Sequence, residues 1–247
     1  LVLIILFVVF LGSNNGDDNH TSTSSVDAEK TIRRQRILEI LSPITDINTP
    51  DKVDAYNWLI DKDVLSHKLL SKTDDEYDDN IDDNYVEEKI RQRYVLALLY
   101  LATNGQDWIQ QYKFLTPEID ECDWTFIQTI EQKKNYNPGK ITTEGVICDQ
   151  KRKVSRLRLW RNNMIGTLPP EIGHFGDSLL ELNVPGGLIT GTIPLSFEKL
   201  TKLETLGLNH LCLSGTIPTF LSTLPKLGML SLAGNYELTG SLQEFCN

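Results

Sequence analysis

A repeat of 24 to 25 residues in the second half of the sequence constrains the fold of this chain more than any other feature. Each repeat has paired leucines followed by a glycine. The four equivalent glycines are Gly166, Gly191, Gly215 and Gly240, separated by steps of 25, 24 and 25 residues. A unit of this length cannot bury its own apolar edge, so neighbouring units must stack to form one continuous core. The period therefore predicts a stack of repeats over residues 151–247.

Five positions in each repeat are predicted to point into this core. In the first three repeats they are Leu157, Leu159, Met164, Leu168 and Ile172, then Leu182, Val184, Ile189, Ile193 and Phe197, then Leu206, Leu208, Leu213, Ile217 and Leu221. Asn162 and Asn235 are predicted to lie inside the turn, where their amides can bond backbone groups of neighbouring repeats. Gly187 and Leu211 occupy the equivalent position in the other two repeats and interrupt this ladder.

The pattern LxxLxLxxNxLxGxIP resembles that of plant-type leucine-rich-repeat proteins. Upstream, Cys122-x-Trp124 and Gly145-Val146-x-Cys148 resemble the N-terminal cap of that family. The order of apolar segment, stalk, helices and cap is most similar to the leucine-rich-repeat proteins of diatoms. The resemblance covers roughly residues 31–247. It implies an α/β leucine-rich-repeat solenoid, right-handed with short parallel strands on its concave face, preceded by an α-helical N-terminal region.

The resemblance to the cap also implies a disulfide between Cys122 and Cys148. Such a bond would contribute about 3 kcal/mol in an oxidising compartment. The alternative is that both are free cysteines packed in the core. Cys212 is predicted to be an unpaired residue in a turn.

The chain opens with an apolar segment, LVLIILFVVFLG, at residues 1–12. Because about 20 apolar residues are needed to cross a bilayer, this segment is predicted to be a transmembrane anchor truncated at its N-terminal side. A signal-peptide core and a buried strand are the alternatives. The first two place the remainder on the secretory side, so we expect a single-pass membrane protein with extracellular or lumenal repeats, or a secreted protein. The sequon at Asn19 predicts glycosylation there.

Composition divides the remainder of the chain into four parts. Residues 13–30 are rich in Ser, Asn, Asp and Thr and predict a flexible stalk. Residues 31–119 predict a helical region with an acidic loop at 73–84, and residues 120–150 form the cap. About four repeats occupy residues 151–247, truncated at the C-terminus.

Three apolar stripes predict helices within residues 31–119. Thr49 and Pro50 are predicted to begin the second helix, and Gly105 is predicted to cap the end of the third. The stripes consist of Ile37, Leu38, Ile40 and Leu41 in the first helix, of Val53, Tyr56, Leu59 and Ile60 in the second, and of Ile90, Tyr94, Ala97, Leu98 and Leu101 in the third.

The distribution of charge excludes a nucleic-acid-binding protein. The net charge is −10, and residues 151–247 contain nine Lys or Arg and seven Asp or Glu, so they carry +2 and the first 150 residues carry −12. A protein that binds nucleic acid needs a broad basic face.

The sequence contains no motif for nucleophilic, zinc or phosphate chemistry. The segment DDNIDDN lacks the glycine and glutamate positions of a calcium loop. We therefore expect no catalytic residue, no metal and no cofactor. The rival hypothesis is an enzyme with a site in residues 31–120, and a pocket with strongly shifted carboxylates would favour it.

Residues that flank the paired leucines are predicted to point outward from the concave face. The predicted ligand contacts among them are Arg158, Trp160, Arg161, Asn183, Asn209, His210 and Ser231. An exposed tryptophan among arginines can stack on a ligand or anchor a protein partner. The alternative is that these side chains only solvate the face, or that the arginines pair with acids of the helical half.

The resemblance implies an extracellular or cell-surface recognition protein. Its expected partners are a protein, peptide or carbohydrate ligand, a co-receptor, and a membrane through the N-terminal segment. A secreted inhibitor or a cell-wall adhesion protein with the same fold is the alternative.

Overall fold

The computed structural model of the protein describes residues 21–71, 82–129 and 141–241. The predictions for the apolar segment 1–12, for glycosylation at Asn19 and for the acidic stretch 73–81 lie outside these ranges. Within them, no helix has both the length and the apolar composition that a bilayer crossing requires.

Four α-helices occupy most of the described N-terminal half. They are α1 (Thr21–Leu41), α2 (Pro50–Asp61), α3 (Val64–Ser71) and α4 (Asp83–Ala102). Each of the other three contacts α4, and buried residues occur on all sides of its axis. A helix that is buried all round belongs to the core, so α4 is the central element of this half.

Helix α1 begins earlier than the sequence predicts. Residues 21–30, which the composition assigns to a flexible stalk, are helical. Lys30 in this part forms an ion pair with Asp61 in α2, with 2.5 Å between Nζ and Oδ1. A tertiary contact of this kind can stabilise a helix that local composition does not predict.

Two residues of the predicted apolar stripes are exposed. Leu38 in α1 and Val53 in α2 have exposed fractions of 40% and 39%. The buried faces consist of Ile37, Ile40 and Leu41 in α1 and of Ala55, Trp58, Leu59 and Ile60 in α2. Leu38 and Val53 lie one or two positions away from these faces, and each position turns a side chain by about 100° around the helix.

The two ends of α4 differ from the prediction for local reasons. Asp82 caps the N-terminus because its Oδ1 accepts a hydrogen bond from the Tyr85 N–H at 2.7 Å, so the predicted loop 73–84 ends before the helix starts at Asp83. At the other end Asn104, with a φ of 55°, adopts the left-handed conformation expected of Gly105. Gly105 instead lies against the ring of Tyr100, where an added Cβ would be 2.2 Å from Cδ2.

The described residues of the cap and the repeats form ten strands. They are β1 (Thr125–Thr129), β2 (Ile141–Cys148), β3 (Val154–Arg158), β4 (Met164–Thr167), β5 (Glu181–Asn183), β6 (Gly187–Thr190), β7 (Thr205–Gly207), β8 (Ser214–Thr216), β9 (Met229–Ser231) and β10 (Glu237–Thr239). Six of them form a mixed sheet in the order β1-β2-β3-β5-β7-β9. It is antiparallel from β1 to β3 and parallel from β3 to β9. We number the repeats one to four by β3, β5, β7 and β9.

The core of the repeats agrees with the prediction. Fourteen of the fifteen predicted inward residues are buried, and Ile217 is partly buried. Leu157, Leu182, Leu206 and Leu230 are in register across the parallel strands. Stretches of 3₁₀-helix at Pro170–Asp177, Leu195–Lys199 and Thr219–Thr223 alternate with these strands along the chain.

The two turn asparagines bond backbone groups as predicted. Asn235 is buried, its Oδ1 accepts from the Leu213 N–H at 3.1 Å, and its Nδ2 donates to the carbonyls of Leu208 at 2.7 Å and Leu232 at 2.8 Å. Asn162 contacts the segment after α4 instead of another repeat. Its Nδ2 donates to the Gln110 carbonyl at 2.9 Å, and its Oδ1 accepts from the Gln110 N–H at 2.6 Å.

A buried ion network joins the helices to the cap. Arg93 in α4 is 0% exposed and contacts the carboxylates of Asp63 and Glu121, which are also 0% exposed. Lys89, one turn earlier, lies 2.5 Å from Glu121 and 2.9 Å from Asp120. Burial alone would lower the pKa of Arg93, yet the two carboxylates hold that pKa above its usual range.

Further contacts tie α4 to the first repeat and fix the cap. The Gln92 side chain accepts a hydrogen bond from the Val154 N–H at 2.6 Å and donates to the Arg152 carbonyl at 3.2 Å. Cys122 and Cys148 form the predicted disulfide, and Cys212 is free and exposed as predicted. The helical half, the cap and the first repeat therefore share one set of buried contacts.

Candidate ligand-binding groove

A groove of about 590 Å³ runs across the four repeats beside the parallel strands. Its walls are Trp160, Arg161, Asn183, Pro185, Gly186, Thr205, Leu206, Gly207, Asn209, His210, Met229 and Ser231. Six of the seven predicted ligand contacts are in this set, and Arg158 is not. The structure therefore brings together side chains that are up to 71 residues apart in the sequence, between Trp160 and Ser231.

The groove has an apolar surface as well as polar groups. Trp160 is 50% exposed and Met229 is 61% exposed. Leu159, which precedes Trp160, is fully buried, and its N–H donates to the Asn183 carbonyl at 2.9 Å. Because this bond and the buried leucine fix the backbone, the indole of Trp160 is held on the opposite, outward side.

A row of equivalent residues lies immediately after the strands, one from each repeat. Each of its first three members donates its backbone N–H to the next repeat: Arg161 to Pro185 at 3.0 Å, Gly186 to Asn209 at 3.0 Å, and His210 to Ala233 at 2.7 Å. These bonds hold the row at a regular spacing.

All four members of this row have a positive φ. The angles are 46° at Arg161, 76° at Gly186, 56° at His210 and 78° at Gly234. Glycine adopts this conformation without strain, whereas other residues lose roughly 1–2 kcal/mol in it. Arg161 and His210 are thus basic side chains at positions where the backbone favours glycine.

The two glycines of the row give these basic side chains room. A Cβ added at Gly234 would lie 2.5 Å from His210 Nδ1, and one added at Gly186 would lie 3.6 Å from Arg161 Cγ. The side chains of Arg161 and His210 therefore extend over the next repeat. The sequence signal for this arrangement is the alternation of Arg161, Gly186, His210 and Gly234 at the repeat period.

Arg158 is bound within the sheet. Its Nε and Nη2 donate to Oε2 of Glu181 on the neighbouring strand at 2.8 and 2.7 Å, and Arg156 Nε lies 3.8 Å from the same oxygen. The arginines of β3 therefore pair with an acid, as one alternative proposed, but the acid belongs to repeat two and not to the helical half.

Asn183 lies deep in the groove beside a glycine. A Cβ at Gly207 would lie 2.2 Å from Asn183 Oδ1, so the absence of a side chain at Gly207 makes room for the amide. Asn209 and Ser231 occupy the next repeats along the same wall. These groups supply hydrogen-bond donors and acceptors at successive levels.

A second cleft, of about 610 Å³, lies along the 3₁₀ segments Pro170–Asp177 and Leu195–Lys199, with Glu88 of α4 in one wall. Charged groups in its walls pair with one another, since His174 Nε2 lies 3.2 Å from Glu88 Oε2 and Lys153 Nζ lies 2.7 Å from Asp177 Oδ2. Paired charges have less to offer a ligand than free ones, so we take the groove beside the strands as the candidate site.

The described residues offer little support for catalysis or metal binding. Asp120, Glu121 and Cys122 are close enough to hold an ion, but the Cys122 sulfur is bonded to Cys148 and the two carboxylates contact Lys89. Burial raises the pKa of Glu121, yet this carboxylate lines neither cleft. The raised pKa of Glu121 therefore follows from burial, and Lys89 and Arg93 of the ion network act in the opposite direction.

Comparison with known proteins finds similarity to plant receptor-like proteins. No model of a protein family matches the chain. The chain is 36% identical over 116 residues to Receptor-like protein 35 of Arabidopsis thaliana. This aligned segment covers 46% of the chain and 12% of that protein. It is 36% identical over 124 residues to Phytosulfokine receptor 1 of Arabidopsis thaliana, which covers 49% of the chain and 10% of that protein. The match thus spans about a tenth of the length of these relatives.

Among solved structures, the chain is similar to the leucine-rich-repeat ectodomain of the receptor kinase SOBIR1 from Arabidopsis thaliana. The identity is 26%, the match covers 49% of this chain and 58% of that one, and the TM-score is 0.35. Another relative in sequence, 36% identical over 73 residues, is a probable leucine-rich-repeat receptor-like serine/threonine-protein kinase of Arabidopsis thaliana. The relatives in sequence therefore support a plant-type leucine-rich-repeat protein.

Proposed function

We propose that this chain is an extracellular or cell-surface recognition protein that binds a protein, peptide or glycan ligand through the groove. The observation that carries the proposal is the row containing Arg161 and His210, because strained backbone at an open surface is commonly retained for function. The relatives are receptors by name, which is consistent with recognition.

Each predicted contact has a proposed role in the groove. Trp160 supplies the apolar anchor, since tryptophan is enriched among residues that dominate binding energy. Arg161 and His210 supply charge and hydrogen bonds, and Asn183, Asn209 and Ser231 supply polar contacts. Arg158 is proposed to position the wall through its pair with Glu181. The right-handed solenoid with a concave strand face remains part of this proposal.

Binding is tested with the full chain against a displayed random-peptide library and an array of plant and algal glycans. Hits should be lost or weakened at least tenfold, about 1.4 kcal/mol, by Trp160→Ala. Leu195→Ala is the matched control, because Leu195 is 73% exposed but lies outside the groove. Equal binding by wild type and Trp160→Ala for every hit would overturn the proposed site.

The location of the protein forms a second part of the proposal. We propose a single-pass protein whose repeats face the extracellular or lumenal side, with a co-receptor as a further partner and a resemblance to diatom proteins. Fractionation of the full-length tagged protein with protease protection tests this: membrane retention with repeats digested from outside is the expected result. Release into the medium would favour the secreted inhibitor or wall adhesion protein instead, and a cytosolic protein would contradict both.

A further inference from the structure

We infer that the groove recognises an extended acidic peptide in the polyproline II conformation, with two carboxylates three residues apart that contact Arg161 and His210. This inference rests on the proposed function and specifies its ligand. It is carried by the charge, the spacing and the backbone strain of the groove.

The charge of the groove is of one sign. Among the described residues that line it, Arg161 and His210 can carry charge and none is acidic. Neither of these two side chains forms an ion pair with another described residue, whereas Arg158 is neutralised by Glu181. An arginine without an acidic partner is an attractive site for a carboxylate, which it binds in bidentate geometry, and the ring of His210 can donate a hydrogen bond to a second carboxylate.

The spacing of the pair suits one peptide conformation. Arg161 and His210 belong to repeats one and three, and neighbouring parallel strands lie about 4.8 Å apart. The two positions are therefore about 10 Å apart. A polyproline II segment has three residues per turn and rises about 3.1 Å per residue, so side chains at i and i+3 lie on the same side about 9 Å apart. In a β-strand, residues i and i+3 would point to opposite sides.

The rest of the groove also suits such a segment. Proline-rich segments in this conformation bind grooves lined by aromatic side chains, and Trp160 is half exposed next to Arg161. The backbone of a polyproline II segment has no internal hydrogen bonds, so its carbonyls are free to accept from Asn183 and Asn209. An oligouronide could also present carboxylates, and its hydroxyl groups could donate to the same amide oxygens, so binding of an oligouronide is one of the outcomes that the test distinguishes.

The backbone of the row shows which substitutions can test the inference without added strain. Gly186 and Gly234 occupy the same row as Arg161 and His210 with a similar φ, so glycine suits all four positions. The variants Arg161→Gly and His210→Gly therefore remove the basic groups without imposing strain. We expect both variants to keep the melting temperature of the wild type within a few degrees or to raise it.

The test measures binding of synthetic nonapeptides to the full chain by calorimetry. The probe is a proline-rich nonapeptide with two glutamates three residues apart, and it is compared with the same peptide carrying glutamines and with one whose glutamates are adjacent. We expect binding of the probe, at least tenfold weaker binding of both comparison peptides, and at least tenfold weaker binding of the probe by Arg161→Gly and by His210→Gly. Lys226→Gln, which removes an exposed positive charge outside the groove, should leave binding unchanged.

The outcomes separate this inference from the proposed function. Absence of probe binding, equal affinity for the glutamine peptide or for adjacent glutamates, or insensitivity to Arg161→Gly overturns the inference. Binding of oligogalacturonate in place of the peptide overturns it as well. If library or glycan hits still depend on Trp160 in any of these cases, the proposed function stands. If no hit depends on Trp160, the proposed function falls too.

Discussion

The junction between helices and cap and the stack of repeats are stabilised by opposite kinds of interaction. At the junction, the charged side chains of Arg93, Asp63 and Glu121 are completely buried. In the repeats, the interior is formed by leucines such as Leu182 and Leu206, which are in register and completely buried. Buried charge depends on one geometry, because each ion must be paired to offset its loss of hydration. Apolar burial is roughly additive and tolerates variation.

This difference shows how one chain can combine a fixed base with a variable surface. Arg93 contacts the indoles of both Trp58 and Trp124, with its Cζ 5.3 and 5.2 Å from the ring centroids. Contact with both tryptophans and pairing with two acids leave the guanidinium little freedom. The repeats, by contrast, fix only their inward residues, so the outward residues beside them are free to differ from one repeat to the next.

Removal of the Arg93 charge should cause the largest loss in the free energy of unfolding. Arg93→Ala leaves Asp63 and Glu121 buried with fewer partners, and removing one member of a buried pair costs about 3–5 kcal/mol. We expect a loss of this size in the free energy of unfolding measured by urea denaturation. The control is Arg156→Ala, since this side chain is 36% exposed and 3.8 Å from its acid and should change stability by less than about 1 kcal/mol. Equal losses in the two variants would mean that burial does not increase the contribution of an ion pair to the free energy of unfolding.

Truncation of a repeat leucine should give the next largest effect. Leu206→Ala removes a fully buried side chain, and such changes cost about 2–5 kcal/mol. The same measurement on Leu195→Ala, at an exposed position, should show a change within about 0.5 kcal/mol. The comparison would be wrong if Leu206→Ala were as mild as its control.

Truncation of the buried Asn235 in repeat four should cause a smaller loss of stability, because its contacts are polar. Asn235→Ala removes three hydrogen bonds to the backbone and leaves buried groups unpaired, at a cost of about 1–3 kcal/mol. Asn209→Ala, in the groove wall, should scarcely change the thermal midpoint while it weakens ligand binding. A thermal shift for Asn209→Ala as large as that for Asn235→Ala would argue against an outward, functional role for Asn209.

The smallest effect is expected in the dependence of thermal stability on acidic pH. Burial opposes ionisation of Asp120, but the charge of Lys89 and the Cys122 N–H hold the pKa of this carboxyl below its usual range. As the pH falls below about 4, the unfolded chain takes up this proton before the folded chain, so the stability that Asp120 contributes is lost. Thermal midpoints measured from pH 6 to pH 3 should therefore fall less steeply in Asp120→Asn than in the wild type. Parallel curves would show that Asp120 is not linked to acid stability.

The repeats were predictable from the sequence because their signal is periodic. The offsets of Leu157 and Leu159 from Gly166 recur in later repeats, and they identify both the buried positions and the outward ones between them. The ion network was not predictable in this way. Arg93 is 30 residues from Asp63 and 28 from Glu121, and a helical stripe reports only which residues share a face.

The sequence predicted most of the outward residues that line the groove, but not the form of the groove. Trp160 and Asn183 follow directly from alternation about the buried leucines. The engagement of Arg158 by Glu181 depends on strand register, and the extension of His210 over Gly234 depends on a positive φ. Neither property can be read from apolar periodicity, although the recurrence of glycine at the position of His210 is visible in the sequence.

The contact between Asn162 and the backbone of Gln110 has a consequence for how the chain acquires its structure. Asn162 forms hydrogen bonds with the segment after α4, and Asn235 forms similar bonds with the preceding repeat. The helical half therefore gives the first repeat a surface to pack against. In stacked-repeat proteins, ordering propagates from a unit to the one beside it, because a folded neighbour supplies interface contacts that offset the entropy lost on ordering. We therefore expect the repeats to fold in order from residue 160 toward residue 240, which is also the direction of their synthesis on the ribosome.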